Sequence, residues 1–208
     1  MNIGIIGAGH IGKALAQDFI KAGHRVAVAN SRGPESLQGL IAELGPQATA
    51  LSAQEAAEFG EILVETVPFA KVPDLAKLPL AGKIVIDTAN YYPQRDGQID
   101  LGGHSEGSWV AQQLPGARVV KAFNAIAAAD LASQGDVSKP VGERRAIFVS
   151  SDDQQAKQTV SRLIEEIGFA AMDTGTLAGS AVNQNGAPLY GKNVTISEGQ
   201  KIIDQEMK

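Results

Sequence analysis

The feature that most constrains this chain lies at its very start. Asn2-Ile3-Gly4-Ile5-Ile6 is an apolar run too short for a helix and suited to a strand covered on both faces of a parallel sheet. Gly7-Ala8-Gly9-His10-Ile11-Gly12 follows at once, and Ile11, Leu15, Phe19 and Ala22 then recur at helical spacing until Gly23 closes the run as a C-cap. Arg25-Val26-Ala27-Val28-Ala29 reads as a second strand, so strand, helix and strand succeed one another within about 30 residues.

The alternation continues. Pro34 opens a helix through about Leu44, and strands are predicted at 61–66, 83–87, 118–122 and 145–149, separated by Ala-rich or polar helical segments. Beyond the last strand a helix places Val160, Leu163, Ile164 and Ile167 on one face, capped by Asp152 or Asp153 and stopped by Gly168. Such alternation implies right-handed crossovers and helices on both faces of the sheet. The expected fold is therefore α/β: a Rossmann-type doubly wound, mainly parallel sheet with a small C-terminal α/β extension. Residues 90–107 and 173–192, rich in Gly, Pro and polar turn formers, read as loops, the first on the strand-end face where ligands bind in open α/β sheets. We place a Rossmann domain at 1–122 and a second, C-terminal part at 123–208, with a soft boundary inside one body.

The glycine pattern is weak by itself in a chain with 23 Gly among 208 residues. Its position between a buried strand and an amphipathic helix gives each glycine a physical role, with Gly7 for the tight turn, Gly9 for approach of a pyrophosphate and Gly12 for close helix–strand packing. A dinucleotide's second ribose is read at the end of the second strand. A 2′-hydroxyl reader needs Asp or Glu there, whereas this chain has Asn30-Ser31-Arg32-Gly33-Pro34. A carboxylate would repel a 2′-phosphate; Ser31 can donate to one and Arg32 can grip it through its fork of donors. NADP(H) is favoured over NAD(H), the alternative being that Arg32 is a solvated turn residue.

Several spellings compete with this reading and fail. Gly7 to Lys13 nearly spells a nucleotide-triphosphate loop, but Ala14 has no hydroxyl for magnesium, which leaves Lys13 a solvated helix lysine. Gly103-His104-Ser105-Glu106-Gly107 matches a hydrolase nucleophile elbow, yet all three His precede Ser105, the wrong chain order. His104 reads as an exposed loop residue, His24 as structural, and Asn193-Val194-Thr195 as a glycosylation sequon by spelling only. Absent Cys removes thiolate metal sites and cysteine nucleophiles, and with so few His no metal site is expected. The net charge of 18 − 23 = −5, with no basic cluster beyond Glu143-Arg144-Arg145, argues against nucleic acid. A strand beginning at Asn2 and no long apolar stretch lead to the expectation of a cytoplasmic protein with no membrane partner. A homodimer is expected from the commonness of closed symmetric pairs.

The glycine loop, the Asn30-to-Pro34 turn, Val67-Pro68-Phe69, Val119-Val120-Lys121-Ala122-Phe123-Asn124 and Pro188-Leu189-Tyr190-Gly191 together resemble the NADP oxidoreductases dependent on coenzyme F420, a family whose fold recurs in the cytosolic domain of the STEAP metalloreductases. The resemblance implies phosphate and ribose contacts at Ala8, His10, Ile11, Ser31 and Arg32. It also implies a nicotinamide laid over the strand ends against Val67, Pro68 and Phe69, Ala89 and Asn90, and Asn124, Ala125 and Ile126, with a small-molecule acceptor held between these and the C-terminal part. Departures at 90–107 and around Ala181 to Gly186 put the use of F420 itself in doubt and leave a flavin, quinone-like or ferric chelate acceptor open.

Hydride transfer between stacked rings needs no dedicated proton donor, whereas carbonyl reduction wants an acid. Tyr91, Tyr92, His104 and Lys121 lie in substrate-facing segments, but no motif assigns a catalytic residue, and Lys121 reads as a strand-end charge. Three functions stand: an NADPH-dependent reductase of a deazaflavin, flavin or ferric-type acceptor; an imine or hydroxyacid-type dehydrogenase; and a noncatalytic NADPH sensor.

Overall fold

A computed structural model describes residues 1–206. In chain order the elements are β1 (Asn2–Ile6), α1 (His10–Lys21), β2 (Arg25–Ala29), α2 (Gln38–Leu44), β3 (Ala48–Ala50), α3 (Ala53–Phe59), β4 (Ile62–Glu65), β5 (Ile84–Asp87), α4 (Pro93–Asp96), α5 (Glu106–Gln113), β6 (Arg118–Lys121), α6 (Ala128–Gln134), β7 (Ala146–Val149), α7 (Gln154–Glu166), β8 (Ala170–Asp173) and α8 (Ile196–Glu206). The first six strands form one sheet in the order β3-β2-β1-β4-β5-β6, every pair parallel. The order reverses between β1 and β4, which makes the carboxyl ends of these two strands the topological switch point where Rossmann folds hold ligands.

Period-two alternation decides what each sheet face buries. Ile62, Val64, Ile84, Ile86 and Val120 join Leu15 and Phe19 of α1 and Val160, Leu163 and Ile164 of α7 in one core. Leu63, Val85 and Val119 point the other way and pack with Val72, Leu75, Val110 and Leu114. β7 and β8 form a separate parallel pair, tied to the large sheet by an antiparallel bridge in which Lys121 and Ser150 exchange backbone hydrogen bonds of 2.9 and 3.1 Å.

Three expectations change in detail. The helix expected from Pro34 to Leu44 begins as a 3-10 turn over Pro34–Leu37 and becomes α-helical only at Gln38. Residues 90–107 are not a bare loop: they hold α4, where Asp96 accepts the Tyr92 N–H at 2.9 Å, and the start of α5, capped by Ser105. Strands β3 and β8 carry too little apolar sequence to announce themselves. The cap of α7 is Asp153, whose side chain accepts the Ala156 N–H at 2.8 Å. His24 is buried and structural, with Nε2 2.9 Å from Glu166.

Candidate functional site

The glycine loop sits at the switch point, and the three glycines are constrained in three different ways. Gly7 has φ +118°, and a Cβ there would lie 2.4 Å from Thr66 Oγ1. A Cβ on Gly12 would lie 2.1 Å from the Gly7 carbonyl oxygen, so α1 packs against the turn with no room for a side chain. A Cβ on Gly9 would meet nothing within 4 Å, and Gly9 is exposed. The protein's own packing therefore demands Gly7 and Gly12, while Gly9 borders open space at the helix start, the cradle a pyrophosphate needs. No side chain caps α1 and its first turn carries no acidic residue. Its leading N–H groups are thus available to an anion, which the helix dipole also favours.

At the end of β2 the turn is shaped by its own side chain. Asn30 Oδ1 accepts the Arg32 N–H at 2.9 Å, Asn30 Nδ2 donates to Ser36 Oγ at 2.9 Å, and Gly33 takes φ +91°. Ser31 and Arg32 are exposed, and among the described residues no ion pair holds the Arg32 guanidinium. Lys13 differs: it pairs with Glu43.

Below the strand ends lies a buried ionic cluster. The register of β4, β5 and β6 brings Glu65, Asp87 and Lys121 into one row. Lys121, read from sequence as a strand-end charge, is instead 0% exposed: its Nζ donates to both Asp87 oxygens at 3.0 and 3.1 Å and to the Ala89 carbonyl. Burial first, and the Asp87 carboxylate next, push the Glu65 carboxyl well above the usual range. Glu65 also accepts from the Val67, Thr88 and Ala89 N–H groups at 3.2, 3.2 and 3.3 Å, which fixes the loops leaving β4 and β5.

Above that row Phe123 adopts φ +62°, a strained conformation for a bulky residue. The turn it makes sets Asn124 across from the β5 loop: Asn90 Nδ2 donates to the Asn124 carbonyl at 2.7 Å, and Asn124 Nδ2 donates to Asn90 Oδ1 at 3.2 Å and to the Asn183 carbonyl at 3.0 Å. Asn124 is 4% exposed and its Oδ1 has no partner. Ala89, Ala125 and Ile126 are buried beside it, and Val67 is half-buried. Phe69 does not form part of a wall. It is 0% exposed, with its ring stacked on Trp109 at 4.6 Å, so it supports the exposed Pro68 from beneath.

The C-terminal segment closes on this region. Gly191 N–H donates to the Ala125 carbonyl at 3.2 Å, and the Tyr190 and Tyr92 hydroxyls are hydrogen-bonded. Gln184 Oε1 accepts the Glu106 N–H at 3.3 Å. The Glu106 carboxyl is buried with Oε2 unpartnered, and burial pushes it above the usual range. Sequence reading missed Glu65, Asp87, Glu106 and Asn183. For the first two the signal was present: each ends a short apolar strand with a charge, at the same register as Lys121.

Strand order, glycine loop and open helix start together define a dinucleotide-binding Rossmann protein. Residues 2–91 match the family model described as NADP oxidoreductase coenzyme F420-dependent. A solved structure of a hypothetical protein from Sinorhizobium meliloti is 37% identical, with 94% of this chain and 95% of that one covered at a TM-score of 0.83. One from Arthrobacter sp., named as a candidate F420-dependent NADP reductase, is 25% identical, with 87% of each chain covered at a TM-score of 0.71. The metalloreductase STEAP3 of Rattus norvegicus is 32% identical over 178 residues, 85% of this chain. The chain spans about a third of the length of that relative, 34%.

Proposed function

We propose that the protein is an NADP(H)-dependent oxidoreductase passing hydride between the nicotinamide and a deazaflavin, flavin or ferric-type acceptor. The observation that carries this reading is the pairing of two features at one sheet edge: a glycine cradle left open only at Gly9, and an exposed Ser31-Arg32 turn with no carboxylate at the β2 end. The first suits a pyrophosphate, and the second suits a ribose that bears a phosphate.

When bound, NADPH supplies a hydride from its nicotinamide ring. The chain's part is positioning and exclusion of water. The Asn124 Nδ2 contacts to Asn90 and Asn183 fix the strand-end loop against which the nicotinamide lies. Ser31 and Arg32 hold the 2′-phosphate, and the first N–H groups of α1 hold the pyrophosphate.

The test is NADPH absorbance followed with purified protein against oxidised F420, FMN, FAD, a quinone and a ferric chelate. Steady consumption with one acceptor supports a reductase and names its substrate type. NADPH binding with no consumption by any of them overturns that reading and leaves a sensor or a carbonyl or imine dehydrogenase.

A further inference from the structure

The glycine turn is held by a residue that lies 59 positions away in the chain. Thr66 follows the last residue of β4 and reaches two consecutive carbonyls at the end of β1. Its N–H donates to the Ile6 carbonyl at 2.9 Å, which extends the ladder between β1 and β4 by one rung, and its Oγ1 donates to the Gly7 carbonyl at 2.8 Å. Among the described residues no other group donates to the Gly7 carbonyl. The hydroxyl is seated between two glycines of the motif: a Cβ on Gly7 would come within 2.4 Å of it, and a Cβ on Gly12 within 2.8 Å.

The bond fixes a direction as well as a distance. The Gly7–Ala8 peptide is trans, so its carbonyl and its N–H point opposite ways across one plane. With the carbonyl turned to Thr66, the Ala8 N–H is turned away from the packing of β4 against α1. It has no partner among the described residues, and neither has the Gly9 N–H. Gly7, at φ +118°, has a backbone that accepts many orientations, so the peptide needs an anchor if its N–H is to keep one of them.

We propose that Thr66 is a positioning residue for the cofactor's pyrophosphate: its hydroxyl holds the Gly7 carbonyl inward, so that the Ala8 N–H faces the phosphates beside the first N–H groups of α1. This rests on the dinucleotide reading above and adds the group that sets the geometry of the cradle. Threonine suits the place, because its branched Cβ restricts χ1 and so limits the directions the hydroxyl can take. Valine has nearly the same shape without the donor, and serine keeps the donor in less volume. The end of β4 then serves both halves of the cofactor. The Glu65 carboxyl accepts the Val67, Thr88 and Ala89 N–H groups on the nicotinamide side, and the next residue, Thr66, holds the pyrophosphate turn.

The experiment compares wild type, Thr66→Val and Thr66→Ser. NADPH and NADH binding are read by nicotinamide fluorescence, and adenosine 2′-phosphate by its displacement of NADPH. This last probe carries the phosphate assigned to Ser31 and Arg32 but no pyrophosphate. Thr66→Val is expected to weaken NADPH and NADH alike by about tenfold to a hundredfold, the worth of one hydrogen bond to a charged group, while adenosine 2′-phosphate keeps its affinity to within about twofold. Thr66→Ser is expected to bind all three as wild type does. In wild type the backbone amide resonance of Ala8 should move on addition of NADPH and stay in place with adenosine 2′-phosphate, a readout that needs no variant to fold.

Wild-type NADPH affinity in Thr66→Val overturns the assignment. So does a parallel loss of all three ligands in that variant, the result a general loosening of the fold would give. Thr66→Ser binding as weakly as Thr66→Val, or an Ala8 resonance unmoved by NADPH, overturns it too. In each of these outcomes wild type still binds NADPH, and the dinucleotide reading stands. A wild type that binds neither NADPH nor NADH overturns that reading, and the assignment with it.

Discussion

Replacing Lys121 by Met removes the only cation from the row beneath the strand ends. Asp87 would then lie 0% exposed beside Glu65 with no counter-charge, and the Ala89 carbonyl would lose its ammonium donor. Breaking a buried pair from one side costs about 3–5 kcal/mol, because the remaining charge is left desolvated. A chain of this size loses roughly 2–4 °C of Tm per kcal/mol, so the expected fall is about 6–20 °C. Differential scanning calorimetry of Lys121→Met at pH 7.5 should show that deficit. Adding Asp87→Asn should restore about 0.5–3 kcal/mol of the loss, since the two side chains share one interaction. A Tm within about 2 °C of wild type at pH 7.5, or strictly additive effects in the double variant, would refute the idea that this row is a coupled ionic unit.

Other consequences follow from the same geometry. Glu65→Gln puts a side chain that cannot ionise next to Asp87. Because the Glu65 pKa is raised on folding, its contribution is present below the unfolded carboxylate range and is lost as pH rises, so wild type should lose stability toward alkaline pH more steeply than the variant. Denaturant midpoints between pH 5 and 9 measure this, and parallel curves for the two proteins contradict it. Gly9→Ala should leave Tm within about 2 °C of wild type, while Gly12→Ala should lose several kcal/mol or fail to accumulate, because only the second Cβ has backbone in its way. The same Gly9→Ala should weaken NADPH by about tenfold, measured by nicotinamide fluorescence; unchanged affinity would move the pyrophosphate elsewhere. Asp153→Ala removes the α7 cap and the acceptor of the Arg118 fork, which together hold that carboxyl at about 2. A loss of about 1 kcal/mol by chemical denaturation is expected, and no loss would show the cap to be idle.

The parts legible in sequence are those set by local rules. β1, β2 and the strands near 62, 84, 118 and 146 show as apolar runs because both faces of a parallel sheet are buried, and the glycine loop shows because its constraints fall within six residues. β3, Ala48–Ala50, escaped because three small residues carry almost no pattern. Lys121 was misread because a charge ending a strand is ordinarily solvated; only the sideways register with Asp87 turns it into a buried cation. That register was nearly available: three neighbouring strands of equal length each end in a charged residue. Phe69 was misplaced for the opposite reason, since a loop aromatic near a site reads as a wall until Trp109 and Tyr91 are seen to cover it. The tyrosine pair and the Asn90–Asn124–Asn183 links join residues far apart in the chain, and no local rule reports on such contacts.

The central claim is that this sheet edge reads a phosphorylated ribose through Arg32. Dissociation constants for NADPH and NADH, measured by nicotinamide fluorescence on wild type and Arg32→Glu, test it most directly. The account predicts that wild type prefers NADPH and that Arg32→Glu weakens NADPH by about 2–3 kcal/mol while barely changing NADH. Equal losses for both cofactors, or a wild type that prefers NADH, would contradict it.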